Sequence, residues 1–392
     1  RKRGAGSMDF GFSESQEALR RTVRGVIARR CPPEKIREWE EQEVFPDEVW
    51  KEMAALGWLG VVFPAEYGGA DGSMLDLMVM LEELALGEFE LASAVGLAVM
   101  GGLAVLRHGT AAQKTRYLPP LIEGRAHFSV SLTEPGSGSD AAALTTRAAR
   151  DGDDFVLSGQ KLYCTGAHLR GSTVLLAART SPAAPKRQGI TVFLLDPTAP
   201  GVTLRRMRML GRRIQGTNEI FLDGARVPAE NFLGTLDGGW AVLRSFLEVE
   251  RTVAAIAYAG AAQAVVNLAL SHAREREQFG RPIGSFQAIA HLLADMQTDV
   301  DATRLLAYRA AWLLAESRPC LREVSIAKLH ASETYVRVAG HGMQVMGGHG
   351  YTMECDMQRH FRSARLATIG AGTSQIQRDL IARTMGLEVR HG

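Results

Sequence analysis

Hydrophobic positions change their period twice along this chain. Between residues 13 and 125 they recur at helical spacing. Leu19, Val23, Val26 and Ile27 form one stripe, with Ser13 placed to cap it and Pro32-Pro33 to stop it. The same period predicts helices over 48–56, 75–86 and 92–106, with a Gly- and Pro-rich connector at 57–69. From about His127 short β-like runs take over, at 128–132, 155–157, 174–178, 191–195, 202–206 and 219–222. Turn signals such as Asp151-Gly152-Asp153-Asp154 and Asp223-Gly224 separate them, which predicts a small antiparallel sandwich or barrel of roughly one hundred residues. After Gly238-Gly239 long helical periods return, over 240–276, 286–317, 321–346 and 374–385. The order is α, then β, then α.

Composition narrows the function classes. A length of 392 residues exceeds one typical domain, so two or three packed units are expected. The net charge of +2 gives no broad electrostatic case for nucleic acid or acidic membranes, and no apolar run reads as a membrane span. The four cysteines, Cys31, Cys164, Cys320 and Cys355, are scattered without CxxC or metal-ligand spacing, which points to reduced thiols in a cytoplasmic setting. The histidines show no HExxH, and no GxGxxG stands between a strand and a helix, so neither a metal site nor a nicotinamide site is supported. Arginine and alanine are abundant, as in proteins of GC-rich bacteria. Residues 1–7 (RKRGAGS) read as an expression scar and Met8 as the native start.

Five segments carry candidate chemistry. Thr133-Glu-Pro-Gly-Ser-Gly-Ser-Asp140 follows an apolar strand, and its glycines, hydroxyls and amides can approach an anion or a ring edge; taken alone, such a loop is an ordinary turn. Gly159-Gln-Lys-Leu-Tyr-Cys-Thr-Gly166 reads as a strand whose Tyr163, taken alone, is a surface-facing amphipathic residue. Arg276-Glu-Gln-Phe-Gly280 reads as a helix end at Gly280, with Pro282 preventing continuation. Gln344 with Gly347-Gly348 is the fourth. In Leu366-Ala-Thr-Ile-Gly-Ala-Gly-Thr-Ser-Gln-Ile-Gln-Arg378 a small-residue loop precedes a helix that Ser374 opens, with Gln377 completing a capping box.

Taken together and in this order, from about Asp9 to Leu387, these segments resemble the acyl-CoA dehydrogenase family. The resemblance implies an α+β multidomain fold: an N-terminal helical domain (8–126), a middle antiparallel β-sandwich or barrel (127–238) and a C-terminal four-helix bundle (239–392). It implies FAD, held in a homotetramer or a dimer. Thr133 would touch the flavin ring, Ser139 the FAD phosphate or the substrate, Tyr163 the flavin, and Thr165 the region of its N5. Arg276, Gln278 and Phe279 would reach a neighbouring subunit's FAD, where an arginine's planar fork suits pyrophosphate. Gln287, Gln344, Gly347, Gly348, Thr373 and Gln375 are the remaining implied cofactor contacts.

One position departs from the family pattern. The family loop ends in Glu-Gly-Thr, and its glutamate removes the substrate's α-proton while hydride leaves the β-carbon for flavin N5. Gly372 and Thr373 match, but Ala371 stands where the glutamate would, and Gly370 replaces the usual tyrosine. The Ala371 backbone amide remains available to the thioester oxygen. Loss of a general base costs on the order of 10²–10⁴ in rate, so a competent enzyme needs another. At 100° per residue, Trp240, Leu243, Leu247, Glu250, Ala254, Ala257 and Ala261 share one stripe, on which Glu250 is the only carboxylate. Glu248, with Arg244 and Arg251 at neighbour spacing, reads as a solvated, salt-linked face. From the residues alone Glu250 is either a base with a raised pKa or a buried carboxylate paired with an arginine. Branches of the family acting on branched or long acyl chains carry the base in a Glu-Arg dipeptide on this helix, matching Glu250-Arg251, and a small residue in the loop. The resemblance thus makes Glu250 the base and gives Arg251 a part in placing the thioester's phosphopantetheine or adenine end.

The expected function is FAD-dependent α,β-dehydrogenation of an acyl thioester, on CoA or on a carrier protein, with electrons passed to an electron-transfer flavoprotein or similar acceptor. Two other classes share the same residues: a flavin monooxygenase on this fold, which has no need of Glu250, and a non-catalytic binder of FAD or acyl-CoA. A reductase running the same chemistry backwards is a further variant.

Overall fold

A computed structural model describes residues 10–389. Residues 1–7 and Met8, read above as a scar and a start, lie outside the described residues. Six helices build the first third: α1 (Glu14–Arg30), α2 (Pro33–Gln42), α3 (Asp47–Ala55), α4 (Met74–Gly87), α5 (Phe89–His108) and α6 (Ala111–Ile122). Ser13 caps α1 through a full capping box with Gln16. The Pro32-Pro33 stop is also a start, because Pro33 opens α2, where a missing N–H costs nothing. Neither α2 nor α6 is anticipated by the period. Pro33 hides the first, and Pro119-Pro120 inside the end of the second hides the other.

The middle third holds β1 (His127–Ser131), β2 (Arg147–Asp151), β3 (Asp154–Thr165), β4 (Ser172–Arg179), β5 (Ile190–Leu195), β6 (Val202–Met207), β7 (Thr217–Pro228) and β8 (Phe232–Leu233). They form one sheet in the order β6-β7-β3-β2-β4-β5-β8, with β1 attached to β4. Phe155, Leu157, Val174, Leu176, Phe193 and Ile220 pack into a core belonging to this sheet. The expected antiparallel pattern needs correction: β1 runs parallel to β4, with His127 beside Ser172, and β2 meets β4 in parallel at Arg147 and Arg179. Strand direction is set by partners far apart in sequence, and a period of two carries no record of it.

The last third is α7 (Gly239–Glu275), a hairpin of β9 (Glu277–Gln278) and β10 (Arg281–Pro282), then α8 (Gln287–Ala315), α9 (Leu321–Gly350), α10 (Asp356–Ala364) and α11 (Ser374–Thr384). The helix expected to end at Gly280 stops at Glu275; Phe279 (φ 53) and Gly280 (φ 76) instead turn the hairpin, as left-handed residues do. The buried face of α10 carries Gln358, Arg359 and His360, so no apolar period announces it. The two helical stretches share one continuous core, joining Leu77 and Leu81 of α4 and Val95 of α5 to Ile256 and Val265 of α7. Contrary to the sequence reading, α5 and α7 are each long and apolar enough to cross a membrane. Their most apolar windows, however, are 83% and 72% buried in this core. Among the described residues they are core helices.

Candidate active site

α7 carries Glu250 and Arg251, and it sets Arg251 against the loop that precedes α11. Arg251 is only 7% exposed, its Nε is buried without a partner, and a Cβ added to Gly372 would lie 3.8 Å from its Nη2. The loop is tied down through its carbonyls. Fully buried Lys328 of α9 donates to the oxygens of Ala367 (3.0 Å) and Gly372 (2.7 Å), and Gln377 to those of Ala371 (3.2 Å) and Gly372 (3.1 Å). Ala371 is held at φ 56, a conformation that alanine rarely adopts. With its carbonyl spent, its N–H has no partner among the described residues.

Glu250 makes no hydrogen bond and no ion pair among the described residues, so it is not the arginine-paired carboxylate that the sequence left open. It is closely packed yet retains some accessible surface. Burial raises its pKa above the ordinary carboxylate value, against the opposing charges of Arg251, Lys328 and Arg212. Burial likewise pulls Lys328 down to about 8, with Glu250 acting to restore it.

Two local expectations are corrected here. Arg251 is not on a solvated face, because the loop before α11 packs over it, and among the described residues neither the exposed Arg244 nor Arg251 forms a salt bridge with Glu248. The cap of α11 is Thr373, whose hydroxyl accepts from the Ile376 amide at 3.2 Å; Ser374 is already helical. Gln377 therefore falls outside a capping box and reaches back to the loop carbonyls instead.

A second cluster lies in the β-domain. The Leu162 amide donates to the Thr133 carbonyl at 2.9 Å, which sets the 133–140 loop against Tyr163 and Thr165. Tyr163 sits at a break in the β3–β7 register with φ 60 and is 54% exposed. Gly136 and Gly138 face open space, Ser139 is exposed, and the buried Ser137 hydroxyl has no partner. Glu134 anchors this loop by accepting from the amides of Thr145 (2.6 Å) and Thr146 (2.8 Å) and from the fully buried Lys161 (2.8 Å). Burial alone would raise Glu134, but Lys161 and these bonds bring it to about 2. On Lys161 burial wins over the pairing and lowers it to about 8. Both values bracket neutrality, so the pair is ionised at pH 7.

The remaining predicted residues gather elsewhere. Arg276, Gln278 and the 92%-exposed Phe279 stand in the β9–β10 hairpin, 26 residues past Glu250, or about 39 Å along α7 at a rise of about 1.5 Å per residue. His272 stacks on His349 at 5.8 Å, which brings this end of α7 to the end of α9, where Gln344, Gly347 and Gly348 are exposed. Gly347 breaks the helix with φ 57, and a Cβ at either glycine would meet nothing. Gln287 and Gln375 are exposed at the starts of α8 and α11. The chain thus brings its candidate residues into three groups. Sequence reasoning missed Glu134, Lys161, Lys328 and Arg212, and gave Gln377 a capping role in place of its hold on the loop carbonyls. Of those missed, only Lys161 and Glu134 had a signal, since both lie inside the quoted motifs.

Family models for the acyl-CoA dehydrogenase N-terminal, middle and C-terminal domains match residues 13–125, 129–225 and 237–386. The chain is 36% identical over 381 residues to the "Probable acyl-CoA dehydrogenase YngJ" of Bacillus subtilis (strain 168), covering 96% of this chain and 100% of that protein. It is 35% identical over 379 residues to the "Caffeyl-CoA reductase-Etf complex subunit CarC" of Acetobacterium woodii, covering 95% and 98%. Among solved structures, the prolyl acyl carrier protein oxidase AnaB superposes with a TM-score of 0.92 at 29% identity, covering 96% and 100%. PigA with FAD and proline superposes at 0.91 and 25% identity, covering 97% and 100%. With all three domain models matched in order and relatives aligned over nearly their whole length, this chain belongs to the acyl-CoA dehydrogenase family.

Proposed function

We propose that this chain is an acyl-thioester dehydrogenase in which Glu250 is the base and Ala371 supplies a backbone donor. The cofactor is FAD, which when bound supplies the hydride acceptor for the substrate's β-carbon. The residues present fit such a group. The open backbone at Gly136 and Gly138, the unpartnered Ser137 hydroxyl, and exposed Ser139 and Tyr163 form a polar-edged face that a flat ring system can cover. Thr133, Ser139, Tyr163 and Thr165 would hold its ring and nearby phosphate; Arg276, Gln278, Phe279, Gln287, Gln344, Gly347, Gly348, Thr373 and Gln375 would complete the site. Of these, Thr373 has its hydroxyl already engaged as a cap, so its contact would come from the backbone or by sharing that oxygen.

The chain's own chemistry follows from these residues. The unpartnered Ala371 N–H donates to the thioester carbonyl oxygen and stabilises charge as the α-carbon loses its proton. Glu250 takes that proton; its burial raises its basicity, and with no partner it has nothing to release first. Arg251 and Lys328 hold the surrounding potential positive, and Arg251 places the phosphopantetheine or adenine end. The observation that carries this reading is an unpaired glutamate and an unpaired loop amide linked through Lys328, which bonds the Gly372 carbonyl and whose charge acts on Glu250. It supports assignment to the branch with a helix-borne glutamate, as in isovaleryl- and long-chain-type enzymes.

Two relatives support the partners. The name of CarC ties it to an Etf complex and that of AnaB to an acyl carrier protein. By analogy the substrate here is acyl-CoA or a carrier-bound acyl group, and the acceptor an electron-transfer flavoprotein. The distance of the hairpin from Glu250 along α7, with Phe279 so exposed, supports a homotetramer or dimer in which hairpins reach across. Domain limits of 8–126, 127–238 and 239–392, and a cytoplasmic setting for the buried, unbridged cysteines, complete the proposal. The deciding experiment is anaerobic bleaching of bound flavin by a panel of acyl-CoA and acyl-carrier thioesters. Wild type should bleach with at least one, and Glu250→Gln with none; normal bleaching of that variant would overturn the role of Glu250.

A further inference from the structure

Close enough for its charge to act on Glu250, a second guanidinium has no settled partner. Arg212, in the turn between β6 and β7, lays its guanidinium carbon 4.6 Å from the ring centroid of Phe89 and 6.0 Å from that of Tyr258. Its Nη2 reaches only the Tyr258 hydroxyl, at 3.5 Å, its Nε is buried without any partner, and no carboxylate pairs with it among the described residues. Tyr258 lies eight residues along α7 from Glu250, about 12 Å at a rise of about 1.5 Å per residue. The two sites share one environment, since the charge of Arg212 acts on Glu250.

The arrangement is built. Arg212 is held at φ 60, a left-handed conformation that costs a branched, bulky side chain strain and that persists only where the surroundings impose it. The surroundings do so. A Cβ on Gly211 would lie 3.0 Å from the backbone of Arg362 and Ser363, and Arg362 donates to the Leu210 carbonyl at 2.8 Å, pinning the turn to α10. Glu90, on which the Arg212 charge also acts, spends its Oε2 on the Gln215 amide at 2.8 Å. Stacked on aromatic faces, the guanidinium keeps its in-plane donors for something else, and a half-buried arginine that only filled space would not leave them unspent.

We infer that Arg212 reads the far end of the acyl group, and that the substrates fitting this chain carry a carboxylate there instead of a plain hydrocarbon end. A guanidinium fork accepts a carboxylate through two parallel N–H···O bonds, whereas an amine-bearing acyl group would meet like charge and an alkyl end would leave the donors stranded. The inference rests on the surroundings of Glu250 being the acyl site, as proposed above.

The test uses the FAD-loaded enzyme and two length-matched pairs of thioesters, glutaryl- against valeryl-CoA and adipyl- against hexanoyl-CoA. Wild type should favour the carboxylated member of at least one pair, by tenfold or more in kcat/KM. Arg212→Met should move that ratio towards the alkyl thioester by on the order of 100-fold, the scale of deleting one partner of a buried charge pair, with Arg212→Lys in between. Calorimetric binding of the same compounds should show the loss confined to the carboxylated ones. This readout holds even if no thioester is oxidised, a result that would sink the dehydrogenase reading while leaving Arg212 tested. Preference of the wild type for both alkyl members, or ratios within threefold between wild type and Arg212→Met, would overturn the inference.

Discussion

Two carboxylates are buried in this chain on quite different terms. Glu134, in the β-domain, accepts two backbone amides and a buried ammonium, and every capacity it has is used. Glu250, in the helical body, has positive charges around it and no bond to any of them. The first is held below the ordinary carboxylate pKa, at about 2, and the second above it. A carboxylate that is fully satisfied shapes a loop; one that is buried and left unsatisfied is ready to accept a proton. The contrast lies in partners, since burial is common to both.

The largest effect that can break this comparison is at Glu250. Glu250→Gln should lower the rate of flavin reduction by about 10²–10⁴ or more, with the melting temperature unchanged or raised, because a strained buried charge is removed. Rapid-mixing reduction and a thermal melt measure both. Loss of fold together with loss of rate would place Glu250 with Glu134 as structural.

Next comes Lys161→Met, which strands the Glu134 charge. It should destabilise by about 3–5 kcal/mol, as expected when one member of a buried pair is removed, and release flavin as the 133–140 loop loosens. A denaturant titration with flavin fluorescence follows the two together. A loss under about 1 kcal/mol, the range of exposed pairs, would mean the pair is not closed to water.

The comparison also has a sign in pH. Glu134, lowered to about 2, contributes stability that is present above the ordinary carboxylate value and lost as pH falls through its folded value. Glu250, raised, does the opposite: its contribution is present below the ordinary value and lost as pH rises through its folded value. Difference melts against wild type should therefore show Glu134→Gln recovering as pH falls from the ordinary carboxylate value towards about 2, and Glu250→Gln gaining on wild type as pH rises above that ordinary value. The same raised value predicts that kcat/KM climbs with pH as Glu250 deprotonates, on a limb that starts above the ordinary carboxylate range. Parallel slopes would erase the distinction.

The smallest effect is at the loop. Thr373→Ala should cost about 1 kcal/mol as a lost helix cap and weaken thioester binding only modestly, since Lys328 and Gln377 still hold the loop carbonyls. A chemical melt and a binding isotherm check it. A large fall in activity would instead tie the Thr373 hydroxyl directly to the cofactor.

Much of this was legible in the order of residues. The α–β–α sequence, the start of α1 at Ser13, the Gly- and Ser-rich loop after β1 and the placement of Glu250 on an inward stripe all follow from local period and turn chemistry. These are properties of residues three or four apart, and a chain states them directly. Helices opened or closed by proline, as α2 and α6 are, and α10 with its polar inner face, escape because the period is interrupted or absent. What only the tertiary structure decided are the relations between distant segments. Arg251 passes from an expected surface to a buried position because the 370–373 loop folds over it. Arg212 arrives beside Phe89 and Tyr258 from another domain, and β1 pairs parallel to a strand beginning 45 residues on. The alanine at position 371 was visible in the sequence; that Glu250 has no hydrogen bond or ion pair among the described residues was not. Pairing is a matter of distance and desolvation, and both are set only when the chain closes on itself.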